Sequence, residues 1–206
     1  MRAATGGQSY RPRTSLWSTL AAWAVVAGFV AAAGFEDGPG AVLHGLPVAL
    51  GLALAAWLVF RLPRVDVDDA GVTLVNPLRT VHVPWAALIE VRTRYALTLV
   101  TPHGAHRAWA APGPGRHAVI ASGRDEVLHL PRSSFDARGG VALGDLAGSP
   151  SGIVAAMVRR HWDALVEDGR IPLGEADETP ARVHWHWPAL AGLGVAVLTT
   201  LGVALL

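Results

Sequence analysis

Three stretches of 20 residues, 16–35, 41–60 and 187–206, contain no Asp, Glu, Arg or Lys. Coiled into a helix, each is about 30 Å long, the thickness of a bilayer's hydrocarbon core. A charge at mid-span would cost about 2.5–3.5 kcal/mol on insertion scales, and none is present. Core helices of soluble proteins usually carry a charged face, so charge-free runs of this length point to membrane spans. The 17 basic and 16 acidic residues all lie in the remainder. Its charge density is then close to the roughly 25% of an ordinary globular chain. The expected organisation is an N-terminal arm (1–15), two transmembrane helices (16–35 and 41–60), one soluble domain (61–168), a linker (169–184) and a third transmembrane helix (185–206).

The flanks of the apolar runs agree with this division. Trp17, Trp57, Trp185 and Trp187 sit near their ends, where an indole favours the headgroup layer. Ala31-Ala32-Ala33 resembles a signal-peptidase site, but the apolar run before it exceeds the usual 7–15 residues of a signal peptide, which favours a retained helix. His44 and Pro47 lie within the second run; a kink and a histidine near the outer interface are the two readings there. Arg2, Arg11 and Arg13 precede the first run, Arg61 and Arg64 follow the second, and Arg182 precedes the third. The link Glu36-Asp37-Gly38-Pro39-Gly40 holds no base. The positive-inside rule then predicts a multi-pass plasma-membrane protein with its amino terminus and soluble domain in the cytoplasm and its carboxy terminus outside.

Two absences narrow the chemistry. The chain has no Cys, which excludes disulfides, thiolate nucleophiles and Cys-ligated zinc. It also has no Lys, which removes Schiff-base lysines and the lysines of phosphate-loop hydrolases and protein kinases. A net charge of +1 is too balanced to suggest a nucleic-acid partner.

From position 64 the apolar period changes to two. Val65 and Val67 alternate with Asp66 and Asp68, Asp69-Ala70-Gly71 makes a turn, and Val72-Thr73-Leu74-Val75 follows. Asn76-Pro77-Leu78-Arg79 turns the chain again into Val81 and Val83, where Pro84 ends the strand or marks an edge. Leu97–Thr101 and Ala108–Ala110 form another hairpin across Pro102-His103-Gly104. Such spacing predicts an antiparallel meander. Residues 116–148 read as one or two irregular strands and a long loop. Ser149-Pro150-Ser151 signals a helix start. Val154, Val158, Trp162 and Leu165, backed by Ile153, Met157 and Val166, follow at helical spacing, with Trp162 expected against the sheet and Gly169 as the stop.

The run Asp69-Ala70-Gly71-Val72-Thr73-Leu74, then Asn76-Pro77-Leu78-Arg79, Val83-Pro84-Trp85 and Leu88-Ile89-Glu90-Val91 resembles the core of a bacterial PH-domain family that includes actinobacterial low-molecular-weight antigen proteins. Tyr10-Arg11-Pro12-Arg13-Thr14, Ala108-Trp109-Ala110-Ala111-Pro112 and the helix from Ser151 to Trp162 share the likeness. The resemblance implies an α+β fold: a PH-like antiparallel β-barrel or sandwich capped by one C-terminal helix. It implies no activity. In PH domains that grip phosphoinositides, basic residues of the first hairpin hold the phosphates; the matching turn here is Asp68-Asp69-Ala70-Gly71.

No catalytic constellation emerges. His103 and His106 flank a turn, and His184 and His186, two apart, suit the membrane interface with Trp185 and Trp187 better than a metal site. Ser133, Ser134 and Asp136 near His129 form no nucleophile motif, and Gly113-Pro114-Gly115 is no phosphate fingerprint. The expectation is a non-enzyme without cofactor or metal. Arg61, Arg64, Arg79, Arg92 and Arg94 form the candidate contact surface for anionic lipid or for a partner. Residues 61–186 balance 14 Arg with 14 acids, so a protein-interaction or assembly module with a protein partner is the leading expectation, an oligomer is compatible with it, and a headgroup sensor is the alternative.

Overall fold

The computed structural model describes residues 7–114, 149–171, 174 and 176–205. The stretch 116–148, for which irregular strands were expected, lies outside the described residues. The chain divides into two compact units.

The helical unit contains α1 (Ser15–Asp37), α2 (Pro39–Ala56) and α4 (Trp187–Ala204). Gly38, at φ 83°, links α1 to α2 in a conformation that suits glycine. Helix α2 runs through Pro47 and ends in a π-helical turn, Trp57–Arg61. The irregularity therefore lies ten residues beyond the proline. His44 is exposed, its Nδ1 2.6 Å from the Gly40 carbonyl one turn back.

Contacts give the helix directions. Trp23 Nε1–H donates to the Ala53 carbonyl at 3.0 Å. A Cβ on Gly34 would come within 2.9 Å of Val42. Rising numbers on α1 thus meet falling numbers on α2. On the other side, Gly51 abuts Ala196 and Gly192 abuts Leu54, so α2 and α4 are antiparallel too. Close approach at small residues is how apolar helices associate without a hydrophobic driving force. The segments Ser15–Asp37 and Pro39–Arg61 are long and apolar enough to cross a membrane, with 6% and 11% of their apolar windows buried; Trp187–Val203 is a shorter apolar helix.

The second unit is α+β. Its strands are β1 (Gln8–Tyr10), β2 (Arg64–Asp68), β3 (Gly71–Val75), β4 (Arg79–Pro84), β5 (Glu90–Arg92), β6 (Ala96–Thr101), β7 (Gly104–Pro112) and β8 (Arg182–Trp185), of which the first residue of β4 and the last of β8 cluster with the helices. Pairing Val65 with Leu74, Val67 with Val72, Leu74 with Val81 and Val72 with Val83 puts six apolar residues on one face. All six are buried. On the opposite face Ser9 donates to Asp66 at 2.6 Å and Thr73 Oγ1 meets His82 Nδ1 at 2.9 Å.

The closed-barrel form of the expectation is corrected. The strands make a five-stranded sheet, β1-β2-β3-β4-β8, and a three-stranded sheet, β5-β6-β7. Strand β1 covers the free edge of β2, and β8 covers that of β4, so neither edge is left to pair with the second sheet. Pro84, which cannot donate to a ladder, ends β4, and the 3-10 turn Trp85–Ala87 redirects the chain. Residues 8–10 and 182–185, read from sequence as arm, linker and helix start, are thus sheet edges. Asn76 links the two sheets: its Nδ2–H donates to Arg107 O at 2.9 Å, and Trp109 N–H donates to its Oδ1 at 2.8 Å.

Helix α3 (Pro150–Glu167) caps the core shared by both sheets. Ser149 is its N-cap, accepting from Gly152 N–H at 2.9 Å with Pro150 in the first turn. At the other end Gly169 has φ 65°. Its N–H donates to Val166 O at 3.0 Å, and Arg170 N–H donates to Leu165 O at 2.9 Å, a Schellman closure. The buried stripe is Val154, Val158, His161 and Leu165 with Met157. Trp162 is only partly buried at its shoulder, and Ile153 and Val166, expected to back the core, are exposed.

Candidate functional site

The five candidate arginines are divided between the two units, Arg61 and Arg79 in the helical one and Arg64, Arg92 and Arg94 in the other. Arg64 Nε lies 2.8 Å from Asp66, and Arg92 lies 2.7 Å from Glu90. Both partners are two residues away on the same strand, so they share its face. Arg94 stacks on the Tyr95 ring at 5.3 Å, and Arg79 on the Trp185 ring at 5.7 Å. Arg61 closes the π-turn of α2. Among the described residues, no ion pair or hydrogen bond holds two of the five to a common group.

The β2–β3 turn is occupied by its own acids. Asp68 Oδ1 accepts from Ala70 N–H at 2.8 Å and from Gly71 N–H at 3.1 Å, a side-chain substitute for a backbone turn. Gly71 passes so close to β4 that a Cβ would collide with the Val83 carbonyl oxygen and lie 2.9 Å from Pro84 Cα. Asp69 receives Arg170 at 2.8 Å and has His161 Nε2 at 3.2 Å. The hydrogen bond from Arg170 is the main cause of a carboxyl pKa below its ordinary value; the charges of Arg170 and His161 act the same way, against desolvation. The His161 ring lies nearly parallel to that of Trp85, with centroids 5.3 Å apart. Trp85 Nε1–H donates to the Asp68 carbonyl at 2.8 Å. Asp68 thus fixes the turn itself, and Asp69 ties it to His161 of α3 and to Arg170 just beyond the helix.

A cleft of about 310 Å³ opens between α3 and β5, lined by Leu88, Ile89, Glu90, Val91, Arg159, Trp162 and Asp163. Strand β5 is an edge of the three-stranded sheet. Arg159 donates to the Val91 carbonyl at 3.1 Å, tying helix to strand at the base of the cleft. Ile89 is 56% exposed at its mouth. Apolar walls, an edge strand and charges of both signs suit recognition of a polypeptide, since a strand edge offers backbone donors and acceptors. Helical periodicity placed Trp162 inward; that it borders an open cleft depends on the gap to β5.

Among the described residues the histidines do not converge. His103 Nε2 meets the Asp177 carbonyl at 2.9 Å, and His184 is exposed on β8. Among the described residues no group of three His, Cys, Asp or Glu side chains is arranged to hold a metal.

Comparison with known proteins agrees with the fold. Residues 62–161 match the family model described as the bacterial PH domain. No curated protein and no solved structure matches the chain. The matched span begins beside the β2–β3 hairpin, crosses both sheets and ends at His161, the helix residue that meets the hairpin's acid; over 62–161 the chain carries a domain of the bacterial PH family.

Proposed function

We propose that this chain is a multi-pass plasma-membrane protein that presents its PH domain at the cytoplasmic face as a non-catalytic protein-interaction or assembly module. The observation that carries this reading is the cleft between α3 and β5, where an apolar wall with Trp162 faces a strand that is, among the described residues, the edge of its sheet. The membrane part rests on two helices that expose their apolar faces, Phe29 being 74% exposed. It also rests on an antiparallel order that returns Arg13 and Arg61 to one end of the helical unit. The alternative, a headgroup sensor on the PH domain, is disfavoured by the local neutralisation of Arg64 and Arg92 and by the acids of the β2–β3 turn.

The test is site-directed photocrosslinking of the full chain in native membranes. A photoreactive residue replacing Ile89, at the cleft mouth, is expected to capture a discrete protein. One replacing Ile153, which is exposed at 44% but does not line the cleft, is not. Equal capture from both positions, or lipid adducts alone at 89, refutes the module reading.

A further inference from the structure

Arg79 differs from the other candidate arginines in what holds it. Among the described residues no carboxylate lies within ion-pair distance of it. Its guanidinium lies over the Trp185 ring at 5.7 Å, and Trp185 tilts against Trp187 with centroids 6.4 Å apart. The turn that carries it is fastened to the start of α4. His186 N–H donates to the Leu78 carbonyl at 3.0 Å, and His186 Nδ1 lies 3.3 Å from the Pro77 carbonyl. The segment Pro77–Arg79 clusters with the helices rather than with the sheets.

Position follows from helix direction. Helices α1 and α2 are antiparallel, and so are α2 and α4, so the start of α1, the end of α2 and the start of α4 share one end of this unit. Trp185 and Trp187 are both exposed there, and indoles at the end of an apolar helix settle at headgroup depth. That depth is also where lipid phosphates lie. An arginine held beside an indole at cation–π distance, rather than by a carboxylate, keeps its N–H groups available, and its planar edge matches two oxygens of a phosphate. The cation–π contact also restricts the side chain before a ligand arrives, which lowers the entropy lost on binding.

We propose that Arg79, on the Trp185 platform, binds the phosphodiester of anionic phospholipids at this end of the helical unit. This places lipid recognition at the first residue of β4, in the segment that clusters with the helices, and away from the β2–β3 turn. The inference rests on the membrane placement of the helices, not on the protein-interaction role of the cleft.

Full-length protein in mild detergent, mixed with dioleoyl phosphatidylglycerol or dioleoyl phosphatidylcholine, is the test, with retained lipid counted by native mass spectrometry. The unmodified chain is expected to favour phosphatidylglycerol, with Arg79 contributing about fivefold, the ratio for one interfacial cation. Arg79→Gln lowers the preference by about that fivefold factor, and Trp185→Leu, which keeps the arginine and loses its platform, lowers it less. Arg92→Gln, whose side chain is paired with Glu90, leaves it unchanged. Undiminished preference in Arg79→Gln, or equal loss in Arg92→Gln, overturns the proposal. Displacement of the lipid by millimolar inorganic phosphate marks a soluble-anion site and also overturns it. A chain that stays soluble without detergent overturns the membrane placement, and this inference with it, while leaving the cleft untouched.

Discussion

Removing either of two tryptophans distinguishes the core of the PH domain from the wall of its cleft. Trp85 is 4% exposed, stacks on His161 and donates to the Asp68 carbonyl. An aromatic side chain of this kind buries 150–250 Å², so at ~25 cal/mol per Å² its transfer is worth about 4–6 kcal/mol. That is an upper bound, because the unfolded chain already covers part of its apolar surface. The lost hydrogen bond adds about 1 kcal/mol, and relaxation around the cavity returns part of the total. Trp85→Ala is therefore expected to cost about 4 kcal/mol. Trp162 is only partly buried against the same cluster, and its removal enlarges a cleft already open to solvent. Trp162→Ala should cost about 2 kcal/mol, below the 3–5 kcal/mol of a fully enclosed tryptophan. The assay is urea unfolding of the full chain in mild detergent, read by hydrogen exchange of the β3 and β4 amides. A larger loss in Trp162→Ala than in Trp85→Ala would refute this account of where the core ends.

Ser149→Ala removes the acceptor for Gly152 N–H and should cost about 1 kcal/mol in the same unfolding measurement; no change would show that the cap is redundant. Asp69 has a lowered carboxyl pKa in the folded state, so the unfolded chain binds its proton first as pH falls. Its contribution is complete above the ordinary value of 3.8 and is lost as pH drops through the folded value. Asp69→Asn should accordingly flatten the acid limb of the stability profile, and an unchanged limb counts against the clasp with Arg170. In this Cys-free chain, cysteines replacing the exposed residues Asp37 and Ala105 should report topology: a membrane-impermeant maleimide on intact cells labels position 37 and spares 105, and the reverse pattern inverts the proposed orientation.

Much of the fold is legible because its determinants are local. The alternation Val65–Val67, Val72–Leu74 and Val81–Val83 carries β2, β3 and β4, and Ser149, Pro150 and Gly169 mark the ends of α3. The edge strands are another matter. Gln8–Tyr10, Glu90–Arg92 and Arg182–Trp185 are three or four residues long and mostly exposed. They are strands because a neighbour needs a partner, not because of their own pattern. On α3, hydrophobicity favours Trp162 as the inward residue, yet the stripe 154, 158, 161, 165 turns His161 inward instead. That polar ring tolerates burial because Trp85 covers its face and Asp69, 92 positions away, reaches its edge. A pairing at that sequence distance leaves no local trace. The neutralisation of Arg64 by Asp66 and of Arg92 by Glu90, by contrast, was readable from strand period alone, since residues two apart share a face.

Charge placement then separates the two units by task. In the PH domain the acids are spent on structure: Asp66 on Arg64 and Ser9, Asp68 on the turn amides, Asp69 on Arg170 and His161. A phosphate approaching the β2–β3 turn meets carboxylates whose cationic partners are already engaged, and it must break a pairing before it gains one. Exposed pairs of this kind are individually weak, but they set the local potential, and here they leave it without the surplus of positive charge that headgroup binding requires. Arg79 escapes this cancellation because its support is an aromatic ring rather than a carboxylate. A ring holds the guanidinium in place and leaves its charge intact. On the proposed reading, attachment to lipid falls to the helical unit together with Arg79, and the cleft beside Trp162 is free of that demand.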